Sequence, residues 1–208
     1  MPGVTSGSGM VLAHDIRVIG ETGNPADVEI VSDVAGRRTF TLGHSDAAVS
    51  NVTVSGSGCG GKSGPGGHFN MSAGRIENCI IREGYSSGHG GNVYMTGGRL
   101  VRCQVLSGHI TGGGAHGGGV YASGGVVESC LIRGNYGVGS TYTAGMELLN
   151  GAVAINCTVI GNYGTVKEAV STYRAIAERD LLGKPRAHGT ALDLGCIESE
   201  QGCYLFVK

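Results

Sequence analysis

The sequence predicts an all-β chain wound as a parallel β-helix, a solenoid of about five or six rungs. Three observations carry this. Four copies of one phrase stand in tandem between Gly66 and Tyr163: GGHFNMSAGRIENCIIREGY, GGNVYMTGGRLVRCQVLSGH, GGGVYASGGVVESCLIRGNY and AGMELLNGAVAINCTVIGNY. Aligned on one column, Val52, Cys79, Cys103, Cys130 and Cys157, the copies step by 27, 24, 27 and 27 residues, a period that marks stacked repeats. The apolar runs are four or five residues long and bounded by glycine, whereas a helical repeat needs apolar residues at three- and four-residue spacing over about a dozen positions.

Taken in order, residues 1–14 begin Gly/Ser-rich and are expected to be loose. Ile16 to Ile19 and Val28 to Val31 read as short strands across a turn-rich GETGNPAD segment. Thr39 to Leu42 and Val49 to Val54 read as a degenerate first copy. Each later copy divides into three strands: HFNMS, NVYMT, GVYAS and MELLN; then RIE, RLV, VVE and VAI; then CIIRE, CQVLS, CLIRG and CTVIG. Three residues before the aligned column stand Val49, Ile76, Leu100, Val127 and Ala154, and two after it Val54, Ile81, Val105, Ile132 and Val159. These form apolar ladders, and a period of two turns them inward. The phase breaks at the residue before each cysteine, which implies a bend. Asparagine tolerates the left-handed conformation, so corners are expected at Asn78 and Asn156. From Gly164 the pattern changes: Val166, Ala169, Val170, Tyr173 and Ile176 have helical spacing, Thr165 to Glu168 matches a capping box, and Gly183 is a stop. A helix from about Val166 to Arg179 is expected to cap the solenoid. The chain thus reads as a single domain: 1–37 for N-terminal strands and first rung, 38–163 for the repeats, and 164–208 for the cap.

Composition bounds the function. Of 208 residues 41 are glycine, against a usual ~7%, without the three-residue period of collagen. Apolar content is 40%, too high for a disordered linker. The net charge of -1 and the lack of clustered basic residues argue against a nucleic-acid surface. No run approaches the ~20 apolar residues of a membrane span. The opening MPGVTSGSGMVLAHD lacks the regions of a signal peptide, which fits a cytoplasmic protein or a mature or truncated form.

The repeats resemble those of right-handed parallel β-helix proteins of the pectate-lyase-like class, and in particular bacterial surface and secreted repeat proteins rich in phrases such as GGGVYASGGVVESCLI and NCTVIGN. The tail, Asp180 to Arg186 followed by Asp193 to Glu198, resembles their closing motif. The resemblance covers roughly residues 38–200. It implies a right-handed coil and an extracellular or cell-surface setting. It does not choose among functions, because one scaffold hosts lyases, hydrolases, adhesins and structural spacers.

Several columns carry chemistry. Cys79, Cys103, Cys130 and Cys157 form a structural ladder, read as small buried hydrophobes because the flanking columns are aliphatic and no ligand-spaced histidine accompanies them. Seven cysteines is an odd count; Cys59, Cys196 and Cys203 lie outside the ladder, and Cys196 with Cys203 would close a short loop. Tyr85, His109, Tyr136 and Tyr163 recur six residues after each cysteine and are expected to stack over a turn. On the outer side of the first strand lie Asn70, Tyr94 and Tyr121, beside Gly-rich loops carrying His89 and His116. In pectate-lyase-like enzymes the groove runs along this strand, so Asn70, His89, Tyr94, His116 and Tyr121 are the candidate ligand-binding residues. Two histidines without a third ligand make no metal site, and neither metal nor cofactor is expected.

Catalysis has the least support. Glycoside hydrolysis uses two carboxyl groups about 5–9.5 Å apart. No aspartate stands between Asp46 and Asp180, and Glu77 and Glu128 share a column two rungs apart, on the order of 10 Å. The acidic cluster for Ca²⁺ in the lyases and the paired aspartates of the polygalacturonases are missing. The expectation is a non-catalytic surface module that binds a polysaccharide or host glycan, adheres, or acts as a spacer. The alternatives are a lyase or glycoside hydrolase, and a subunit that assembles through its solenoid ends.

Overall fold

A computed structural model describes residues 9–32, 36–56, 64–137 and 143–164, with the backbone of 169–170, 187–188 and 191–192. Its strands are short and pair in parallel from turn to turn. The first face has seven strands: Met10–Leu12, Phe40–Leu42, Phe69–Met71, Val93–Met95, Val120–Ala122, Met146–Leu148 and Ala169–Val170. The second face has six: Arg17–Ile19, Ala48–Ser50, Arg75–Glu77, Arg99–Val101, Val126–Glu128 and Val153–Ile155. The third also has six: Glu29–Ser32, Thr53–Gly56, Ile80–Arg82, Gln104–Leu106, Leu131–Arg133 and Thr158–Ile160. The chain is therefore a parallel β-solenoid, as the repeats predict.

A fourth, shorter sheet joins Tyr85–Ser86, His109–Ile110 and Tyr136–Gly137, and a bridge carries it on to Tyr163. The aromatic column expected to cover a turn is thus a sheet of its own. It arises because the third face ends in another left-handed residue, Glu83 at φ 64°, Ser107 at 51° or Gly134 at 66°, which turns the chain once more before the loop.

Alternation places the core. Phe69, Val93 and Val120, with Met71, Met95 and Ala122, point inward and are 0% exposed, as are Ile76, Leu100 and Val127 on the second face and Ile81, Val105 and Ile132 on the third. Phe40 and Phe69 stack inside at 5.1 Å and 12°. Each fully buried aliphatic or aromatic side chain contributes about 1.5–3 kcal/mol, and the in-register columns let every turn bury its share against the next.

The bend between second and third faces is sharp for one backbone reason. Asn51, Asn78 and Asn156 have φ of 57°, 49° and 51°, and Arg102 and Ser129 adopt the same state at 50° and 53°. The first-to-second corner uses glycine, for example Gly98 at φ 78°. A Cβ there would stand 2.7 Å from the Gly74 carbonyl oxygen of the preceding turn.

Two expectations change. Met10–Leu12 belongs to no loose segment: it pairs in register with Phe40–Leu42, because Leu12 continues the inward column and is buried at 1% exposure. Of the helix expected over Val166 to Arg179, only Ala169–Val170 is described, and it is a strand paired with Glu147 and Leu148. The free edge of the Met146–Leu148 strand presents backbone donors and acceptors, and another strand satisfies them better than helical spacing predicts. The remainder of that segment lies outside the described residues. So do Cys59, Cys196, Cys203 and both parts of the closing motif, between which Ala187–His188 pairs antiparallel with Ala191–Leu192. Among the described residues no helix is long and apolar enough to cross a membrane.

Candidate functional site

The outward row of the first face runs Thr41, Asn70, Tyr94, Tyr121 and Glu147 in strict register. Parallel pairing stacks these side chains one rung apart, and Tyr94 and Tyr121 lie ring on ring at 5.4 Å and 5°. The loops between turns are also registered: Gly66 N–H donates to the His89 carbonyl at 2.8 Å, and Gly90 N–H to the His116 carbonyl at 2.9 Å. This brings His89 over Tyr121 at 4.3 Å and 24°, and His116 over His89 at 5.8 Å and 21°. The structure therefore gathers all five residues singled out in the sequence, Asn70, His89, Tyr94, His116 and Tyr121, on one half-buried ledge.

Sequence reasoning missed the ledge's charged end. Glu147, 9% exposed, continues the row beyond Tyr121. Its Oε2 lies 2.8 Å from His116 Nδ1 and accepts the Thr143 hydroxyl at 2.5 Å. The signal was present: Glu147 is the second residue of MEL as Tyr121 is of VYA. Register reveals it, whereas the aromatic identity of the row ends at Tyr121.

Burial favours the uncharged forms of His89 and Tyr121 on the ledge. Burial lowers His89 below the ordinary imidazole range, the nearby His116 adds to this, and Glu147 opposes it. His89 Nδ1 accepts the His116 backbone N–H at 3.0 Å, which assigns its proton to Nε2. Burial, then the charge of Glu147, raises the Tyr121 phenol. Because rings in the stack face each other, the ledge offers edges, hydroxyls and amide groups outward more than open ring faces.

The other columns do structural work. Each ladder thiol bonds a carbonyl of its own turn, Cys79 to Glu77 at 3.2 Å, Cys103 to Val101 at 3.3 Å, Cys130 to Glu128 at 3.2 Å and Cys157 to Ile155 at 3.4 Å. All four are unpaired by disulfide and buried, and burial holds Cys103 well above the ordinary thiol range. Tyr85, His109 and Tyr136 pack tilted, with centroids 5.0 Å apart at 57° and 59°. The paired glutamates are engaged: Glu77 with Arg75 at 2.5 Å and with Arg102, and Glu128 with Arg99 at 2.5 Å. The Arg75 hydrogen bond holds Glu77 below the ordinary carboxylate range, the opposite of what a general acid needs. Among the described residues no three His, Cys, Asp or Glu side chains are placed to hold a metal ion.

Comparison with protein-family models, with curated proteins and with solved structures returned no match.

Proposed function

We propose that the chain is a non-catalytic extracellular or cell-surface β-helix module that binds a glycan along the first face, on the right-handed pectate-lyase-like plan its repeats resemble. The observation that carries this is the ledge, where strand register sets Asn70, Tyr94 and Tyr121 one rung apart and registered loops bring His89 and His116 beside them. Rung spacing of about 4.8 Å is close to the length of one pyranose ring, so successive hydroxyls of an extended sugar chain meet successive rungs. Recognition would rest on hydrogen bonds to hydroxyls, with stacking confined to the end of the ring column. A glycan array probed with the wild type, Tyr94→Ala and Tyr121→Ala tests it. Retention of defined oligosaccharides by the wild type and its loss in both variants is expected; binding untouched by either change would sink the reading.

End-to-end assembly is favoured by a separate observation. Met10, Val11, Ile19 and Val31, all on the first turn, are 49%, 51%, 59% and 58% exposed, and they flank strand edges. Sedimentation over a concentration series decides it, since a monomer at every concentration rules assembly out.

A further inference from the structure

A depression of about 420 Å³ lies away from the ledge, at the edge where the second face turns into the third, and Ser50, Asn51, Glu77, Asn78 and Arg102 line it. Three of these are successive corner residues in the left-handed conformation, Asn51, Asn78 and Arg102 at φ 57°, 49° and 50°. Corners stacked in this way fix the spacing of the side chains they carry. Asn78 is anchored further: its Nδ2 donates to the Gly23 carbonyl and to Asn51 Oδ1, both at 2.9 Å. Glu77 accepts Arg75 Nε at 2.5 Å on one oxygen and Arg102 on the other.

These bonds use only part of the available capacity. A carboxylate offers about four lone-pair sites and a guanidinium five N–H donors. Arg102 therefore keeps spare donors and Glu77 spare acceptors at the depression, a mixture suited to the hydroxyls of a sugar. Two guanidinium groups, Arg75 and Arg102, hold the one carboxylate, so the depression carries no surplus negative charge to repel an acidic sugar. Its volume falls in the range of small-ligand pockets, about 300–1,000 Å³, but its lining is polar where such pockets are usually apolar. We propose that this corner is a binding site for a polyhydroxylated ligand, a single hexose or hexuronate unit, separate from the ledge.

Titration of ¹⁵N-labelled protein with D-glucose, D-galactose and D-mannose, with D-galacturonate as the charged counterpart, tests this through the side-chain amide resonances of Asn51 and Asn78. Saturable shifts with at least one hexose are expected, with the uronate bound no more weakly. Asn78→Gly keeps the left-handed corner and removes the amide; Glu77→Gln keeps the shape and removes the charge. Each should weaken the hexose by about tenfold, roughly one lost hydrogen bond to a charged or anchored group. Thermal melts establish that the variants are folded, and Glu77→Gln serves alone if Asn78→Gly is not. No saturable shift at either asparagine, a uronate bound more weakly than every hexose, or affinity unchanged in the folded variants would overturn the proposal. Shifts confined to Tyr94 and Tyr121 would overturn it while leaving the ledge intact.

Discussion

Asn92 donates its side-chain amide to Asn135 Oδ1 at 3.3 Å inside the solenoid, although the two are reached from different positions in their turns. Asn92 precedes a first-face strand, and Asn135 precedes a strand of the short fourth sheet. Asn162, placed like Asn135, continues the ladder and accepts Asn135 Nδ2 at 2.9 Å. Each turn keeps a glycine opposite its asparagine. A Cβ on Gly108 would stand 2.4 Å from Asn92, one on Gly119 2.7 Å from Asn135 and one on Gly145 2.7 Å from Asn162. One polar side chain per turn thus fills the space between loop and core and satisfies the backbone there.

Replacing Asn135 should accordingly be costly. Its amide serves the Gly108 N–H at 2.8 Å, the Val105 carbonyl at 3.1 Å and Asn162. Asn135→Leu strands these buried groups, at about 1–3 kcal/mol each, so a loss on the order of 3 kcal/mol is expected from urea midpoints. A midpoint equal to the wild type would show that the ladder contributes little.

His68 takes the same place one turn earlier and brings pH dependence. Fully buried, it contacts the Arg82 carbonyl through Nε2 at 2.9 Å and Thr39 Oγ1 through Nδ1 at 2.9 Å. Burial lowers it from 6.5 to about 4. The unfolded chain therefore takes up this proton first as pH falls. The stabilisation is complete above about pH 6.5 and is lost progressively toward about pH 4, roughly 3 kcal/mol in all. Asn92 Nδ2 makes the equivalent bond to the Leu106 carbonyl at 3.0 Å, so His68→Asn should keep the fold and flatten this part of the profile. Denaturation midpoints of both proteins across pH 4–7 check this; parallel profiles would contradict it.

The corners predict a size rule. Ser129 sits at φ 53°, where a side chain costs about 1–2 kcal/mol unless it is glycine or a short polar residue. Ser129→Gly should be neutral or stabilising by up to about 1 kcal/mol, and Ser129→Val destabilising by about 2 kcal/mol. Thermal melts of the pair decide it, and equal midpoints would contradict the corner account.

The cysteine ladder should behave as packing. Val52 occupies the same column and is 1% exposed, so Cys103→Val is expected to cost less than about 1.5 kcal/mol. Thiol reagent should label the four ladder cysteines only as fast as the chain opens. Rapid labelling of Cys103 in native buffer would show an accessible, reactive thiol instead.

The inward columns were legible because they recur at one position per copy, and so was the bend before each cysteine. Arg102 and Ser129 adopt that bend too, since neighbouring turns impose it whatever the residue's own preference. The polar ladder was legible only in part: Asn135 and Asn162 share a column, but one turn earlier the asparagine moves to before the first strand at Asn92, so the column breaks. Across that break it can be seen only as complementary Asn/Gly pairs, Asn92 with Gly108 and Gly119 with Asn135. The short fourth sheet was hidden in an aromatic column of two-residue strands. At the ledge, ring identity pointed to Tyr94, Tyr121, His89 and His116, while Glu147 needed the register.

The ledge is most directly tested by following the ring resonances of Tyr94, Tyr121, His89 and His116 while an oligosaccharide retained on the array is titrated in. Saturable shifts centred on those rings, with smaller changes at Glu147 and none on the third face, are predicted. Saturable binding that leaves all four rings unmoved would contradict the assignment of recognition to the first face.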